Sequence, residues 1–467
     1  MVDSTRQRRK ILLLNPPGDK LYLRDGYCCS SSKADYYWAP IDLLVLSGIL
    51  SEKHEVSVLD ANVLMMGFDE AFEKISKMDF DTLIFLTASP SWNNDFKFIE
   101  RLKKSKNFTA IASGGFLLFL GEKFMKRYSF LDAILLEFTS RDVMDYLDGK
   151  LGVIPNMIIR RNDELLIGLR KCPLKFEIPT PRHELFPIKH YRLSHAKRLP
   201  LTTVITSQGC PYSCTFCIGA LVGFRDRPNE NTMMELRHIQ ELGIKEVFFK
   251  DFTFTLNRAK IIDLCKRMID EKIDLTWSAL TRVHLLDDEL LDVMKRAGCH
   301  TLMLGVESGN NDLLKRYSKG INRDQIKKGF ALCKKHGVIT LAHFIIGLPG
   351  ETKETALQTI EFAKEIDPDY ASFNIALPLV GSPLREEALK NKWCTIDTEL
   401  FDASLSEPTM ETPELSKKEA ARLRNKAIID FYLRPSFILK KILDLRSFGQ
   451  LKQLIGNGFS LIKNVFF

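Results

Sequence analysis

The sequence predicts an α/β protein in three parts: a doubly wound, Rossmann-like N-terminal domain, an open partial barrel of six βα units, (β/α)6, and a helical C-terminal tail. Three observations predict it. The chain has 467 residues, about three times a typical domain of ~150. Short apolar runs alternate with amphipathic segments twice, from Lys10 to Gly149 and again from Leu201 to Ala376. After Pro383 the strand signal stops, and the chain turns helical and basic. Boundaries are therefore expected at 1–150, 151–200, 201–390 and 391–467.

Composition excludes several classes. With 45% apolar and 27% charged residues the chain is neither collagenous nor disordered. No run reaches the roughly 18 to 20 apolar residues of a membrane span. Asn15-Pro16-Pro17 ends the first apolar run below signal-peptide length, so a cytoplasmic protein is expected. The net charge is +8. From Ser416 to Phe467 eleven Lys/Arg stand against three Asp/Glu, so the basic excess belongs to the tail.

In the first domain, Ile11–Leu14, Glu55–Leu59, Thr82–Thr87, Thr109–Ser113 and Ala133–Leu136 read as buried strands. The amphipathic segments 41–53, 69–78, 93–104 and 120–127 read as helices between them. That alternation predicts a parallel sheet covered on both faces, with ligands at the carboxyl ends of its strands. Residues 151–200 carry prolines 155, 173, 179, 181, 187 and 200 with little periodicity, and read as a packed connector. The second series places strands at 202–206, 246–250, 275–280, 301–306, 339–346 and 370–376, separated by helices. Asn231, Asn257 and Asn322 are predicted N-caps, and Gly243, Gly298 and Gly337 stand where helices end. Six units leave a barrel open at one side.

Ten cysteines in a cytoplasmic chain favour metal or redox chemistry, or ordinary buried thiols, over disulfides. Cys172, Cys265, Cys299, Cys333 and Cys394 stand alone and read as packed thiols. The run Gln208-Gly209-Cys210-Pro211-Tyr212-Ser213-Cys214-Thr215-Phe216-Cys217 is different, because it follows a strand and carries three thiols spaced by four and three residues. Three thiolates can hold three corners of an iron-sulfur cube and leave the fourth iron open. Zinc is the competing reading, but it normally requires a fourth ligand, and no Cys or His stands at a fitting offset.

Here the chain resembles the radical S-adenosylmethionine (SAM) superfamily, whose cluster loop is C-x3-C-x2-C with an aromatic before the last Cys, here Phe216. The resemblance spans about residues 200 to 390. It implies that Cys210, Cys214 and Cys217 hold a 4Fe-4S cluster. SAM would chelate the open iron and yield a 5'-deoxyadenosyl radical on reduction, by a partner such as flavodoxin or ferredoxin. It also implies cofactor contacts at successive strand ends: Asp251 for the methionyl amino group, Ser278 and Arg282 for the polar tail, Glu307 and Ser308 for ribose. Ile345, Ile346 and Gly347, in the run ending Leu348-Pro349-Gly350-Glu351, are implied to hold adenine.

The first domain resembles the cobalamin-binding branch of that superfamily. The likeness rests on Asn15-Pro16-Pro17, Val58-Leu59-Asp60-Ala61, Ser113-Gly114-Gly115, and the linker Ile178-Pro179-Thr180-Pro181-Arg182 followed by Tyr191. It implies a cobalamin approached by backbone at Gly114 and Gly115. No Asp-x-His-x-x-Gly occurs, and the domain's one histidine, His54, precedes the second strand, so a cobalamin without a histidine lower ligand is expected. After strand five, Glu137-Phe138-Thr139-Ser140 replaces the branch's Gly-Glu-Gly-Glu-like turn. The loop Arg24 to Pro40, with Cys28, Cys29, Tyr36, Tyr37 and Trp38, reads either as a cover for the cofactor or as an aromatic plug against the second domain.

In the tail, Phe431, Phe437, Ile438, Ile442, Leu443, Leu445 and Phe448 with Lys440, Lys441 and Arg446 form a basic amphipathic segment. It reads either as a membrane-surface contact, fitting a lipid-like or natural-product substrate, or as helices packed on the barrel. The resemblance thus implies cobalamin-dependent methyl transfer to an unactivated carbon. Radical cyclisation without methyl transfer, and a non-enzymatic redox sensor, are the competing readings. An RNA methylthiotransferase would need further cluster cysteines in the first domain, and no nucleic-acid partner is expected.

Overall fold

The computed structural model describes residues 8–25, 30–32, 36–394 and 408–443. The first sheet contains β1 (Lys10–Asn15), β2 (Glu55–Asp60), β3 (Thr82–Leu86), β4 (Thr109–Ser113), β5 (Ala133–Leu135), β6 (Met157–Arg161) and β7 (Glu164–Ile167) in the order β2-β1-β3-β4-β5-β6-β7. The first five strands are parallel, and β6 and β7 add an antiparallel hairpin at the edge. The hairpin corrects the expectation of a connector from residue 151. Its apolar residues, Met157 to Ile159, complete the sheet beside β5, and positive-φ Asn162 and Asp163 make the turn. Helices Ile41–Ser51, Phe68–Lys77, Trp92–Ser105 and Leu117–Arg127 cover the faces. The strand order reverses beside β1, so the carboxyl ends of β1 and β3 flank the crevice where such sheets bind ligands.

The second sheet contains β8 (Leu201–Val204), β9 (Glu246–Phe249), β10 (Thr276–Thr281), β11 (Cys299–Glu307), β12 (Ile339–Ile346) and β13 (Tyr370–Ile375), all parallel and in sequential order. It is a barrel wall with two free edges. Asn257 and Asn322 cap their helices, whereas the helix expected to start after Asn231 begins at Asn229. The Asn231 amide instead bonds Ile178 in both directions and binds the connector to the barrel. Gly243, Gly298 and Gly337 all have positive φ.

The two domains share a core. Helix Ile41–Ser51 is buried on every side from Ile41 to Leu50, as a helix without a polar face must be. It packs in one cluster with Leu201, Ile205, Phe248 and Met303 of the barrel. The Thr203 hydroxyl donates to the Ala39 carbonyl at 2.6 Å, and the Arg182 backbone N–H donates to Ser47 Oγ at 2.9 Å. In the tail, helix Lys417–Tyr432 lies against β12 and β13. Phe431 and Phe437 are buried in the barrel's outer core, and the Tyr432 hydroxyl bonds the Ala371 carbonyl at 2.7 Å. Phe431 and Phe437 are thus packed on the protein, whereas Ile438 and Leu443 of the same segment are exposed. Leu445, Phe448 and Arg446 lie outside the described residues, as do Cys28 and Cys29. Among the described residues no helix is long and apolar enough to cross a membrane.

A second tie joins strand tips to the connector. Asp60, at the end of β2, accepts from Asn15 Nδ2 and the Val63 N–H at 3.0 Å and from the Tyr191 hydroxyl at 3.1 Å. Tyr37 stacks on Tyr191 with ring centroids 6.0 Å apart. Burial raises the Asp60 carboxyl to about 6, against the opposing pull of these hydrogen bonds.

Two stability tests follow from these contacts. Alanine inside a helix ordinarily gains about 1 kcal/mol over glycine, but a Cβ at Gly48 would stand 2.6 Å from the Pro179 carbonyl oxygen and 2.8 Å from that of Thr180. Gly48→Ala is therefore expected to destabilise the chain by about 1–3 kcal/mol, read as a lower urea midpoint. Because the folded state holds the Asp60 proton more tightly than the unfolded chain, with its ordinary value near 4, Asp60 stabilises most when protonated. Wild type should gain stability relative to Asp60→Asn as pH falls from above about 6 towards 4; urea midpoints measured across that range read the difference.

Candidate functional site

The cluster loop begins where β8 ends. Ser207–Gln208 pairs antiparallel with Arg225–Asp226, which holds the base of the loop as a ribbon. Gly209 follows with φ +72°, and a Cβ there would lie 2.1 Å from the Gly223 carbonyl oxygen, so only glycine passes this point. Cys210, Cys214 and Cys217 follow, all free thiols, with Cys214 buried and the other two partly so.

The surroundings supply donors to the sulfurs. The Gly219 N–H points at Cys217 Sγ at 3.3 Å, and Arg282 Nη1 points at Cys214 Sγ at 3.5 Å. Cys210 Sγ lies 3.6 Å from the Thr253 hydroxyl. Burial pushes the Cys217 thiol up to about 11, with Cys214 and Cys210 adding to the shift and the Gly219 N–H opposing it. Burial thus favours the protonated thiol, and a bound cluster would have to displace that proton. Among the described residues no three His, Cys, Asp or Glu side chains are grouped to hold a single metal ion. The thiolates of a cluster bind different irons, so they need not converge on one point.

Arg282 follows β10 directly and is 5% exposed. Its guanidinium lies 3.9 Å over the Tyr212 ring and donates to the Lys319 carbonyl. Tyr212 in turn bonds His284 Nε2 at 3.1 Å. Lys319 Nζ meets Glu307 Oε1 at 2.7 Å, beneath the loop. Glu307 sits at φ +69°, after a register shift between Gly305 and Glu307 in the β11–β12 pairing. A carboxylate residue in the left-handed region is a strained placement that the surrounding structure must hold. A Cβ at Gly305 would approach Glu307 Oε1 to 2.5 Å and Lys319 Nζ to 2.7 Å, so the missing side chain makes room for this pair.

The other sequence-derived candidates divide. Asp251 is buried, and its carboxylate accepts from the Thr206 N–H at 3.1 Å, the Thr206 hydroxyl at 2.9 Å and the Ser207 hydroxyl at 2.6 Å. Burial raises its pKa and the Ser207 hydroxyl opposes the shift. It therefore clamps the strand end that launches the loop. Ser278 lies inside β10, not at its end, and bonds His195 Nε2 at 3.2 Å. Ser308 faces outward to the Thr359 hydroxyl at 3.2 Å. Strand alternation splits the isoleucines: Ile345 packs in the cluster containing Phe216 and Tyr317, whereas Ile346 packs outward with Leu415 and Leu423. Gly347 has φ +87°, and its N–H donates to Glu351, whose buried carboxyl is raised to about 8.

In the first domain, Gly114 and Gly115 follow β4. A Cβ at Gly114 would stand 2.3 Å from the Thr87 carbonyl oxygen, so glycine here lets two strand tips close together. His54 lies at the amino-terminal end of the sheet, where its Nδ1 accepts from the Arg9 N–H at 3.4 Å. Two features escaped the sequence reading. Glu137 forms buried ion pairs with Arg170 at 2.9 Å and Arg225 at 2.7 Å, joining the tip of β5 to the loop's ribbon. Arg24, buried, pairs with Asp95 at 2.7 Å and donates to the Pro16 carbonyl at 2.8 Å. A lone Glu and a lone Arg at such separations carry no sequence signal of pairing.

Comparison with known proteins places these elements. The radical SAM superfamily profile matches residues 204–363, which begin at the end of β8 and include the three cysteines. An uncharacterized methyltransferase of Pyrococcus horikoshii is 31% identical over 461 residues, covering 94% of this chain and 96% of its own. Two solved structures share the fold at low identity. One is the radical S-adenosylmethionine methyltransferase TsrM from Kitasatospora setae, with cobalamin and a [4Fe-4S] cluster bound (TM-score 0.69, 14% identity, 98% of this chain and 99% of that one). The other is the cobalamin-dependent S-adenosylmethionine radical enzyme OxsB, with aqua-cobalamin and S-adenosylmethionine bound (TM-score 0.70, 17% identity, 98% and 72%). On the strength of a relative alike over nearly the full length of both chains, and of a profile seated on the strands around the cysteine loop, this chain belongs to the radical SAM superfamily.

Proposed function

We propose that the protein is a cobalamin-dependent radical SAM methyltransferase acting on an unactivated carbon of a lipid-like or natural-product substrate. The observation that carries the reading is the loop of three free thiols in which a buried guanidinium faces one sulfur and a backbone N–H another. That donor set suits an anionic cluster, because each donor is positive where the thiolates are negative. When bound, the cluster supplies the electron that splits the sulfonium of SAM, and cobalamin supplies the methyl group.

The chain's own residues position and enclose. Cys210, Cys214 and Cys217 would hold the cluster, and Asp251, through Thr206 and Ser207, fixes where their loop leaves the barrel. Arg282 and Lys319 bring positive charge beneath the loop, and Glu307, Ile345 and Gly347 line the strand ends where SAM would lie. Gly114, half-buried, and Gly115, buried, lie at the tip of β4, where their backbone would meet a corrin or its nucleotide tail. With His54 at the opposite end of the sheet, the cobalamin would be held without a histidine lower ligand. Trp38 closes the interface between domains and helps exclude water: its indole packs on Phe248 with centroids 5.5 Å apart and its Nε1 donates to Asp25 at 2.7 Å. A flavodoxin- or ferredoxin-type protein would deliver the electron. The exposed leucines 433, 439 and 443 are the tail residues that a membrane surface would meet.

Two experiments test the reading. After anaerobic reconstitution, methyl-labelled SAM should place label in the product, and label confined to methionine and unreacted SAM, with deoxyadenosine formed, would exclude methyl transfer. Cys214→Ala should bring deoxyadenosine formation to background and lower the iron count while far-ultraviolet circular dichroism stays unchanged; undiminished formation contradicts the ligand assignment. For Arg282, loss of a buried positive charge beside Cys214 disfavours the extra electron, so Arg282→Gln is expected to move the cluster's midpoint potential to more negative values. Arg282→Lys should restore part of the shift, as read by potentiometric electron paramagnetic resonance.

A further inference from the structure

Electron transfer falls steeply with distance, so a protein donor must dock where the cluster loop comes nearest the surface. That place is identifiable. Pro211, Ser213, Ala220 and Leu221 are exposed along the loop's outer rim. Leu221 belongs to the short turn Gly219–Val222, whose first N–H is the donor to Cys217 Sγ.

Beside this rim runs Leu169-Arg170-Lys171-Cys172-Pro173-Leu174-Lys175, the strip between the β6–β7 hairpin and the connector. It is fastened to the loop at both ends. Arg170 Nη1 reaches the Leu221 carbonyl at 3.4 Å, and the Asp226 N–H donates to the Leu174 carbonyl at 2.9 Å, Asp226 being part of the loop's own ribbon. Glu137, paired to both Arg170 and Arg225, holds strip and ribbon together from beneath.

Exposed leucines and lysines alternate along the strip, Leu169, Lys171, Leu174 and Lys175, while Arg170 and Cys172 are half-buried. Leu169 is 79% exposed, Leu174 80% and Leu221 43%. Lys171 and Lys175 are exposed, and neither pairs with a carboxylate among the described residues. The strip contains three cations and no acid. Exposed leucines on segments fastened to one another and carrying unpaired lysines mark an interaction site, and small interfaces suit the brief encounters of electron-transfer partners.

We propose that Leu169–Lys175 with Ala220–Leu221 is the docking face for an acidic electron-carrier protein, which delivers one electron at a time through the Cys217 side of the loop. This rests on the cluster reading above. The carrier's carboxylates would meet Lys171 and Lys175, while its apolar rim covers Leu169, Leu174 and Leu221. Such complementarity acts mainly on the rate of encounter and is weakened by salt.

The test uses the full reconstituted chain and a purified acidic flavodoxin carrying a fluorescent label. Anisotropy titration at low salt should show binding that weakens as salt rises. The double variant Lys171→Glu, Lys175→Glu should bind roughly tenfold more weakly and lose most of the salt dependence. Its deoxyadenosine formation with dithionite, which needs no docking, should match wild type, while the rate driven by reduced flavodoxin falls. Equal flavodoxin binding by wild type and the double variant, with dithionite-driven cleavage intact in both, overturns the docking face alone. Absence of dithionite-driven cleavage in wild type overturns the cluster reading and this inference with it.

Discussion

A buried carboxylate sets the starting point of the site. Removing Asp251 from water is costly unless its oxygens are fully hydrogen-bonded, and here the Thr206 N–H, the Thr206 hydroxyl and the Ser207 hydroxyl satisfy it. Those three donors lie in the residues where β8 becomes the cysteine loop, while Asp251 lies just past β9. One interaction therefore locks two neighbouring strand ends to each other and sets the path of the chain into Gly209. The thiols, the donors that face them and the ribbon that borders them all depend on that path.

Around the thiols the structure places positive charge in a place poor in water. Arg282 is held by its stacking on Tyr212 and by the Lys319 carbonyl, and its guanidinium faces Cys214 with no carboxylate paired to it among the described residues. Lys319 is tied to Glu307, and the strained backbone of Glu307 brings that carboxylate under the loop. Fixed donors that need no rearrangement when charge arrives are the protein's usual contribution at a redox site.

The two domains are packed as one body in this chain. A helix without a polar face, Ile41–Ser51, must be covered on all sides, and the barrel strands and the connector provide the cover. Asp60 with Tyr37 and Tyr191, and Glu137 with Arg170 and Arg225, add polar ties at two other points of the same interface. The Glu137–Arg225 pair thereby holds the tip of β5 against the ribbon at the base of the cysteine loop.

Much of this was legible in the order of residues. Strand and helix alternation identified every parallel strand of both sheets, because a buried parallel strand reads as a short apolar run whatever its neighbours are. The three cysteines stood out in the sequence because their spacing is contained within eight residues, whereas the need for glycine at position 209 emerged only from its φ and the close approach of Gly223. The hairpin Met157–Ile167 was obscured by the prolines around it. Asn231 looked like a cap because a cap and a cross-domain clamp use the same amide. Sequence alone thus determined the folding pattern and the spacing of the three cysteines, both local properties of the chain. Tertiary structure alone decided that Ser278 meets His195, that Ser308 and Ile346 turn away from the site, and that Glu137 joins Arg170 to Arg225. Those outcomes depend on which distant groups packing brings within hydrogen-bonding reach, and separation along the chain carries no information about that.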